Sequence, residues 1–300
     1  MSLNIADWLG ALPGATSQGM LWGIMAIGVY ITYRILDVAD LTVDGSICTG
    51  GAVCAVLIAS GVNVWVALLI AFVAGLLAGL LTGILHTFMG IPAILSGILT
   101  QLILWSANLK IMGKANIALP IRNYDLILSQ IEPVASIFVL AGVIVVVVGV
   151  LYWFFGTELG ASLRATGDNM QMSQAQGVNT AFTKILGLML SNGIVALAGG
   201  LLSQYQGFAD INMGRGAIVI GLAAVIIGEA IMSRLATNFA LRLLGVAIGG
   251  VVYYLVYQTV IFFGLDADLL KMLSAVVVAI FLAVPHWKQK YFTKGRHSHA

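Results

Sequence analysis

The chain has 300 residues, of which 60% are hydrophobic and only 9% charged, whereas soluble globular domains usually carry about 25% charged residues. Long unbroken apolar runs are typical of a helical membrane protein, and they exclude a soluble globule and the alternating pattern of a porin-type barrel. Fourteen basic and 12 acidic residues leave a net charge of +2, too small a basic excess for a nucleic-acid-binding surface.

About nine apolar segments are long enough to span a bilayer or to enter it as broken or re-entrant helices. They predict an all-α polytopic protein with a single membrane domain, residues 1–300. Before them lies a helical face that predicts a short helix on the membrane surface and not a cleaved signal peptide. It is formed by Ile5, Trp8, Leu9 and Leu12. The predicted segments are 18–36, 46–62, 64–88, 91–108, 133–155, 181–205, 216–232, 238–263 and 270–285.

Basic residues indicate how the chain crosses the membrane, because they favour the cytoplasmic side. Most of them fall on one side if the number of spans is odd and the C-terminal tail is inside. We therefore expect the N-terminus outside and the C-terminus in the cytoplasm of a prokaryotic cell. The tail contains Lys288, Lys290, Lys294 and Arg296.

Two parts of the chain resemble each other at an offset of 170 residues, from Asp40 to Asp210. The same offset carries several glycines onto glycines, Gly75 onto Gly245 among them. Five predicted spans separate the copies, and an odd shift places the second copy upside down. The sequence therefore predicts two inverted repeats, about 18–108 and 181–285, an arrangement typical of transporters.

Small residues spaced four apart allow close helix packing in lipid. Such pairs are predicted to serve helix packing and not a special interface. They are Gly75 with Gly79 and Gly245 with Gly249.

Two segments combine acidic groups with hydroxyl or amide side chains, and they begin at Asp40 and Asp210. Ionised groups cost about 2.5–3.5 kcal/mol each at the bilayer centre, so these segments are expected to be turns that dip from an interface. They either shape broken helix ends at a translocation pathway or simply cap helices, and the sequence leaves both interpretations open. The pathway candidates are Asp40, Thr42, Asp44, Ser46, Asp210 and Asn212.

No group of residues indicates catalysis or a metal site. Cys48 and Cys54 are six residues apart, about 240° around a helix, and are expected to be unpaired core side chains. His86 and Glu229 lie near predicted helix ends without an obvious partner. A glycine and lysine at 113–114 lack the rest of a phosphate-binding loop, so ATP would have to bind to another chain.

The polar segment 156–180 carries the run LGASLRATGDN at 159–169, with Gly177 eight residues further on. This spacing resembles the cytoplasmic coupling segment of ABC importer permeases of the branched-chain amino acid and ribose type. The runs ALAGG at 196–200 and GLAAVIIG at 221–228 are similar to the next two helices of that family. Glu229 stands where sugar-type members tend to have glycine, and the run DLTVDGS at 40–46 looks most like a branch associated with tryptophan and tyrosine uptake.

The resemblance implies a permease that imports a small polar solute, such as an amino acid, and has no enzymatic activity of its own. It implies a second permease copy, an ATPase that binds ATP and magnesium, and an extracytoplasmic binding protein. An ion- or proton-coupled secondary transporter and a passive channel remain the alternatives. The residues that the resemblance assigns to ATPase coupling are Glu158, Leu159, Gly160, Leu163, Arg164, Ala165, Gly167, Asp168, Asn169 and Gly177.

Overall fold

The structure is a computed structural model that describes residues 5–120, 124, 126–232 and 238–263, with isolated positions at 272, 275–276, 279–280 and 283. The described part is helical almost throughout. Its helices are α1 (Ile5–Tyr30), which continues into a π-helical turn (Ile31–Ile35), α2 (Val43–Ala59), α3 (Val64–Thr87), α4 (Ala93–Met112), α5 (Pro133–Phe155), α6 (Glu158–Asp168), α7 (Met170–Ala175), α8 (Thr180–Gln206), α9 (Ala217–Met232) and α10 (Phe239–Phe262).

Five of the described helices are long and apolar enough to cross a membrane, namely α3, α4, α5, α8 and α10. Helices α2 and α9 are equally apolar but have only 17 and 16 residues, about 25 Å of helix against a hydrocarbon core of about 30 Å. The predicted all-α polytopic class is confirmed, and most predicted boundaries fall within a few residues of the helices. The segment predicted at 270–285 and the basic tail lie largely or wholly outside the described residues.

The prediction of a separate surface helix at the N-terminus is wrong. Helix α1 is continuous from Ile5 to Tyr30, with Pro13 inside it. Two hydrogen bonds with the bundle hold the next turn of this helix, at residues 14–17. Ser17 Oγ donates a hydrogen bond to the Pro133 carbonyl at 2.9 Å, and Tyr205 Oη donates one to the Gly14 carbonyl at 3.3 Å.

One element was not predicted at all, a short antiparallel ladder of two strands. Strand β1 (Asn116–Ala118) pairs with β2 (Phe208–Asp210). The connection after α4 is therefore not a free polar loop, because it is fixed to the segment between α8 and α9. We call this end of the bundle the β end, and the opposite end the α6–α7 end.

The equivalent helices α1 and α8 of the two repeats run antiparallel to each other. Ser191 Oγ of α8 donates a hydrogen bond to the Gly28 carbonyl of α1 at 2.8 Å, while Tyr205, further along α8, bonds to Gly14, nearer the start of α1. This is the geometry expected of an inverted repeat. The repeat limits, 18–108 and 181–285, stay a prediction because the counterpart of α4 is not fully described.

Glycines allow these helices to touch. Gly75 and Gly79 of α3 lie against the backbone of Asn192 and Leu188 on α8, with no room for a Cβ atom. Gly249 lies in the same way against Ala224 of α9. Gly245 lies next to Gly228 and Met232 of α9. Helix α8 therefore lies at the centre, packed by α1, α2 and α3.

Candidate functional site

The N-terminal ends of the two short apolar helices, α2 and α9, meet inside the bundle. Asp44 lies in the first turn of α2, and its two carboxylate oxygens accept the N–H groups of Gly216 at 3.0 Å and Ile218 at 2.9 Å. These N–H groups lie at the start of α9, where a helix has no carbonyl partners of its own. Asp44 therefore caps a helix of the other repeat, a favourable place for a carboxylate.

A buried polar network anchors the turn before α2. Asp40 is only 3% exposed. Its carboxylate accepts the Thr42 N–H at 2.9 Å and the Asn192 amide N–H of α8 at 2.7 Å. Ser46 Oγ donates a hydrogen bond to the Asn192 amide oxygen at 2.6 Å. Because these groups are buried and hydrogen-bonded to one another, they fix the turn to α8.

The network continues through three threonine hydroxyls. Thr42 and Thr82 are hydrogen-bonded at 2.7 Å, and Thr82 donates to Thr100 at 2.9 Å. This links the start of α2 to α3 and α4. Buried hydroxyls that satisfy one another stabilise a fixed packing and do not need a ligand.

The turn before α9 is more open. Asp210 accepts the Asn212 N–H at 2.8 Å and the Asn116 amide N–H at 3.3 Å. The side chains of Asn212 and Arg215 are exposed. Among the described residues the turn is held by the β ladder, by Asp44 and by a hydrogen bond from the Gly214 N–H to Cys48 Sγ at 3.1 Å.

A cavity of about 350 Å³ opens between this turn and α4. Helix α4 contributes Gln101, Trp105 and Asn108, whose spacing places them on one helix face. The sequence interpretation named none of them, although two amide side chains seven residues apart on an apolar segment were the available signal. The polar and aromatic lining consists of Asp44, Cys48, Gln101, Trp105, Asn108 and Arg215.

Asn108 is unusual in this cavity. It is 1% exposed, and within the described residues neither its amide nitrogen nor its amide oxygen has a hydrogen-bond partner. An unpaired buried polar group costs about 1–3 kcal/mol. An unpaired amide at the wall of a cavity gains a partner when a polar ligand or a water reaches it.

The six pathway candidates therefore separate into three groups. Asp44 lines the cavity. Asp40, Thr42 and Ser46 belong to the buried network, and Ser46 does not cap a helix. Asp210 and Asn212 shape the exposed turn beside the cavity. Cys48 and Cys54 are free and buried, and no cluster of metal-binding side chains lies within the described residues.

At the opposite end of the bundle, the polar segment 156–180 folds into α6 and α7. Gly167 of α6 lies against the backbone carbonyl of Ile35, with no room for a Cβ atom, and Gly160 packs in the same way on the Phe154 carbonyl. Leu163 is fully buried within the permease. Leu163 is covered by its own chain near Gly187 and does not belong to the exposed surface of α6, and its assignment to ATPase coupling stays a prediction.

The outer face of α6 and α7 carries exposed apolar side chains. Leu159 is 49% exposed and Met172 60% exposed, and Ala165 and Met170 are exposed as well. The two methionines were not predicted. The exposed polar residues around them are Glu158, Arg164, Asp168 and Asn169.

Several of the polar residues also hold the segment in shape. Arg164 Nη2 donates a hydrogen bond to the Phe155 carbonyl at 2.9 Å. Asn169 Oδ1 accepts the Met172 N–H at 3.0 Å and so caps α7. Gly177 has a φ of +85°, which a glycine adopts without strain.

Glu229 has a partner, which corrects the interpretation that it stands alone. Its carboxylate lies 3.0 Å from Nε of Arg34, an ion pair between the end of α1 and the end of α9. His86 Nδ1 is hydrogen-bonded to the Ile91 carbonyl at 2.8 Å. Arg34 also lines a polar cavity of about 470 Å³ with Tyr30, Arg164, Asp168 and Arg242.

Comparison with known proteins identifies similar chains. Residues 12–284 match the family described as branched-chain amino acid transport system, permease component. A tyrosine transport system permease protein of Clostridioides difficile is 40% identical over 268 residues, which cover 89% of this chain and 88% of that protein. The fructose import permease FruF of Bifidobacterium longum is 28% identical, with coverage of 92% and 78%.

The fold is also found in a solved structure. A chain of PsaBC from Streptococcus pneumoniae, solved in complex with a Fab, superimposes with a TM-score of 0.52 over 97% of this chain and 99% of that chain. The two sequences are only 14% identical, so this likeness extends to the fold alone.

Proposed function

This chain belongs to the branched-chain amino acid transport system permease family and is a permease component of an ABC-type import system, and on that premise we propose how it works. Two copies form the translocation pathway, separate ATPase subunits drive it with ATP and magnesium, and an extracytoplasmic protein delivers the solute. The chain itself binds no cofactor.

The proposed solute is an amino acid, with aromatic amino acids as the first candidates. The tyrosine transport permease is 40% identical to this chain, whereas the fructose permease is 28% identical. The cavity beside Asp44 supports the proposal because its lining combines opposite charges, an amide and an aromatic ring.

The α6–α7 end is proposed to face the cytoplasm. The polar helices α6 and α7 lie there, as does Arg34 at the end of α1, and basic residues favour that side. Because α1 and α8 run antiparallel, this orientation places the N-terminus of α1 outside. The β end and the cavity then lie toward the extracytoplasmic side.

The observation that carries the coupling proposal is the set of exposed apolar side chains on α6 and α7, and among the large ones Leu159 and Met172 are the most exposed. These side chains project from polar helices that are too short and too hydrophilic to lie among lipid tails, so a protein partner is the fitting surface to cover them. Methionine side chains adapt to such a partner.

A direct structural route leads from this face toward the cavity. Gly167 contacts the Ile35 carbonyl at the end of the π-helical turn. Residues 36–42, which include Asp40, then connect that turn to the start of α2, where Asp44 lies. A displacement of α6 by an ATPase would therefore move a segment that leads to the capping carboxylate of α9.

The test replaces exposed residues and leaves the permease interior unchanged. The double variant Leu159→Asp with Met172→Asp should insert and fold normally, yet lose ATPase copurification and ATP-dependent amino acid uptake by at least about tenfold, because loss of central interface anchors commonly costs about 2 kcal/mol or more.

Met89→Asp is the matched control. Met89 is 65% exposed and follows α3, which ends beside the start of α8 because Gly83 lies against Ile185. Met89 is therefore near the same end but not on α6 or α7, and uptake by Met89→Asp should be unchanged.

Normal uptake by the double variant would show that this face does not couple the permease to the ATPase. Uptake by the purified chain without any ATPase would favour the secondary transporter.

A further inference from the structure

The cavity at the β end holds one acidic and one basic side chain that do not pair with each other. Asp44 and Arg215 both line it, while the one ion pair found within the described residues joins Arg34 and Glu229. Asp44 accepts two backbone N–H groups, but neither it nor Arg215 has a charged partner among the described residues. A ligand that itself carries both charges would give each side chain an opposite charge.

Both charged groups have free hydrogen-bonding capacity. The carboxylate of Asp44 accepts two N–H groups from the start of α9, and a carboxylate offers about four acceptor positions. Arg215 is exposed, and its planar guanidinium suits the two oxygens of a carboxylate. The lining thus offers an acceptor for an ammonium group and a donor for a carboxylate.

The remaining lining comes from one face of α4. Trp105 is 45% exposed and presents a ring on which another aromatic ring stacks favourably. Asn108, at the wall of the cavity, has an amide whose two polar atoms are buried and unpaired, and a hydroxyl or carboxylate that reached them would satisfy them. The volume of about 350 Å³ lies within the range of about 300–1,000 Å³ that is usual for small-molecule sites.

We propose that this cavity binds the transported solute as a zwitterionic aromatic amino acid on its way through the permease. Asp44 receives the ammonium group, Arg215 receives the carboxylate, and Trp105 packs on the ring. The proposal rests on the import function proposed above and adds a recognition site within the permease itself. A neutral sugar would give neither side chain a charged partner and is disfavoured at this site.

The experiment uses 4-azido-L-phenylalanine as a photoreactive probe on the purified permease with its ATPase in lipid nanodiscs. Illumination should attach the probe to peptides that contain residues 101–108 or 211–215, as identified by mass spectrometry. L-tyrosine should suppress this labelling. Tyramine, which lacks the carboxylate, and 3-(4-hydroxyphenyl)propionate, which lacks the ammonium group, should suppress it at least about tenfold less effectively.

Variants separate recognition from folding. Arg215→Gln should reduce labelling at least about tenfold, and Arg215→Lys should retain part of it. Lys110→Gln, which removes an exposed positive charge two residues beyond Asn108 on α4, should label like the unaltered chain. Asn108→Leu should raise the melting temperature, because it removes an unpaired buried amide, while it lowers labelling.

The outcomes distinguish this inference from the import function. Labelling elsewhere, equal competition by tyramine, or unchanged labelling of Arg215→Gln would overturn the site while ATP-dependent uptake persists. Conversely, labelling as expected in a chain that neither binds an ATPase nor needs one would keep the site and overturn the ABC mechanism. A rise in stability of Asn108→Leu without loss of labelling would show that Asn108 takes no part in binding.

Discussion

The turns that precede α2 and α9 have the same local geometry but different surroundings. In each, an aspartate carboxylate accepts the N–H of the residue two positions later, Thr42 N–H to Asp40 at 2.9 Å and Asn212 N–H to Asp210 at 2.8 Å. The first turn is buried and bound to α8, whereas the second is partly exposed and borders the cavity. The turn of the first repeat is therefore an anchor that is fixed to α8, whereas the turn of the second repeat forms one wall of the cavity.

A single pair of equivalent positions marks the difference. Asp44 and Gly214 are 170 residues apart and so correspond in the two repeats. Their backbones touch, since a Cβ atom on Gly214 would meet the Asp44 carbonyl. The glycine allows this close approach. Of these two equivalent positions, only Asp44 carries a side chain. Its carboxylate caps α9, the helix of the other repeat.

The largest expected effect is that of Asp40→Ala. The change removes the acceptor of two buried N–H groups, from Thr42 and Asn192, and should lower the free energy of unfolding by on the order of 3 kcal/mol. The measurement is denaturation by SDS in mixed micelles. An effect below that of the corresponding change at Asp210 would contradict the assignment of the first turn as the anchor.

Gly214→Ala should come next. Its new Cβ atom would push against the Asp44 carbonyl and separate the starts of α2 and α9, at a cost of about 2 kcal/mol, as for other overpacked interiors. Thermal unfolding of the purified variant measures this. Gly149→Ala is the control, because nothing lies within 4 Å of a Cβ atom at that glycine, and it should unfold like the unaltered chain.

The helices were predictable because the bilayer itself sets their length and composition. The segment predicted at 133–155 coincides with α5 (Pro133–Phe155), and the antiparallel repeats follow from an offset visible in the sequence. By contrast, an amphipathic pattern at 158–168 indicates an apolar side without indicating what covers it. Leu163, which the family resemblance assigns to ATPase coupling, is in fact buried by the permease itself.

The cavity could not be predicted because it is assembled from distant parts of the chain. Asp44, Asn108 and Arg215 come from α2, α4 and the turn before α9. Composition shows neither their convergence nor the unpaired state of the Asn108 amide. The Arg34–Glu229 ion pair was missed for the same reason, since it joins residues almost two hundred positions apart.

Gly216→Ala separates backbone strain from crowding within the second turn. Gly216 has a φ of +83° and no atom within 4 Å of a Cβ position, so the substitution introduces strain alone, about 1 kcal/mol. The melting temperature should fall by less than for Gly214→Ala. An equal or larger fall would show that backbone strain at Gly216 outweighs crowding at Gly214 in the second turn.

Asp210→Ala should have the smallest effect of the series. The side chain is half-buried, its turn hydrogen bond and its contact with Asn116 are accessible to water, and water replaces such partners at little cost, so the loss should be about 0.5 kcal/mol. The same SDS titration that measures Asp40→Ala checks it. If the loss instead approaches that of Asp40→Ala, the two turns are energetically equivalent. The asymmetry between them would then lie only in Asp44 and Gly214.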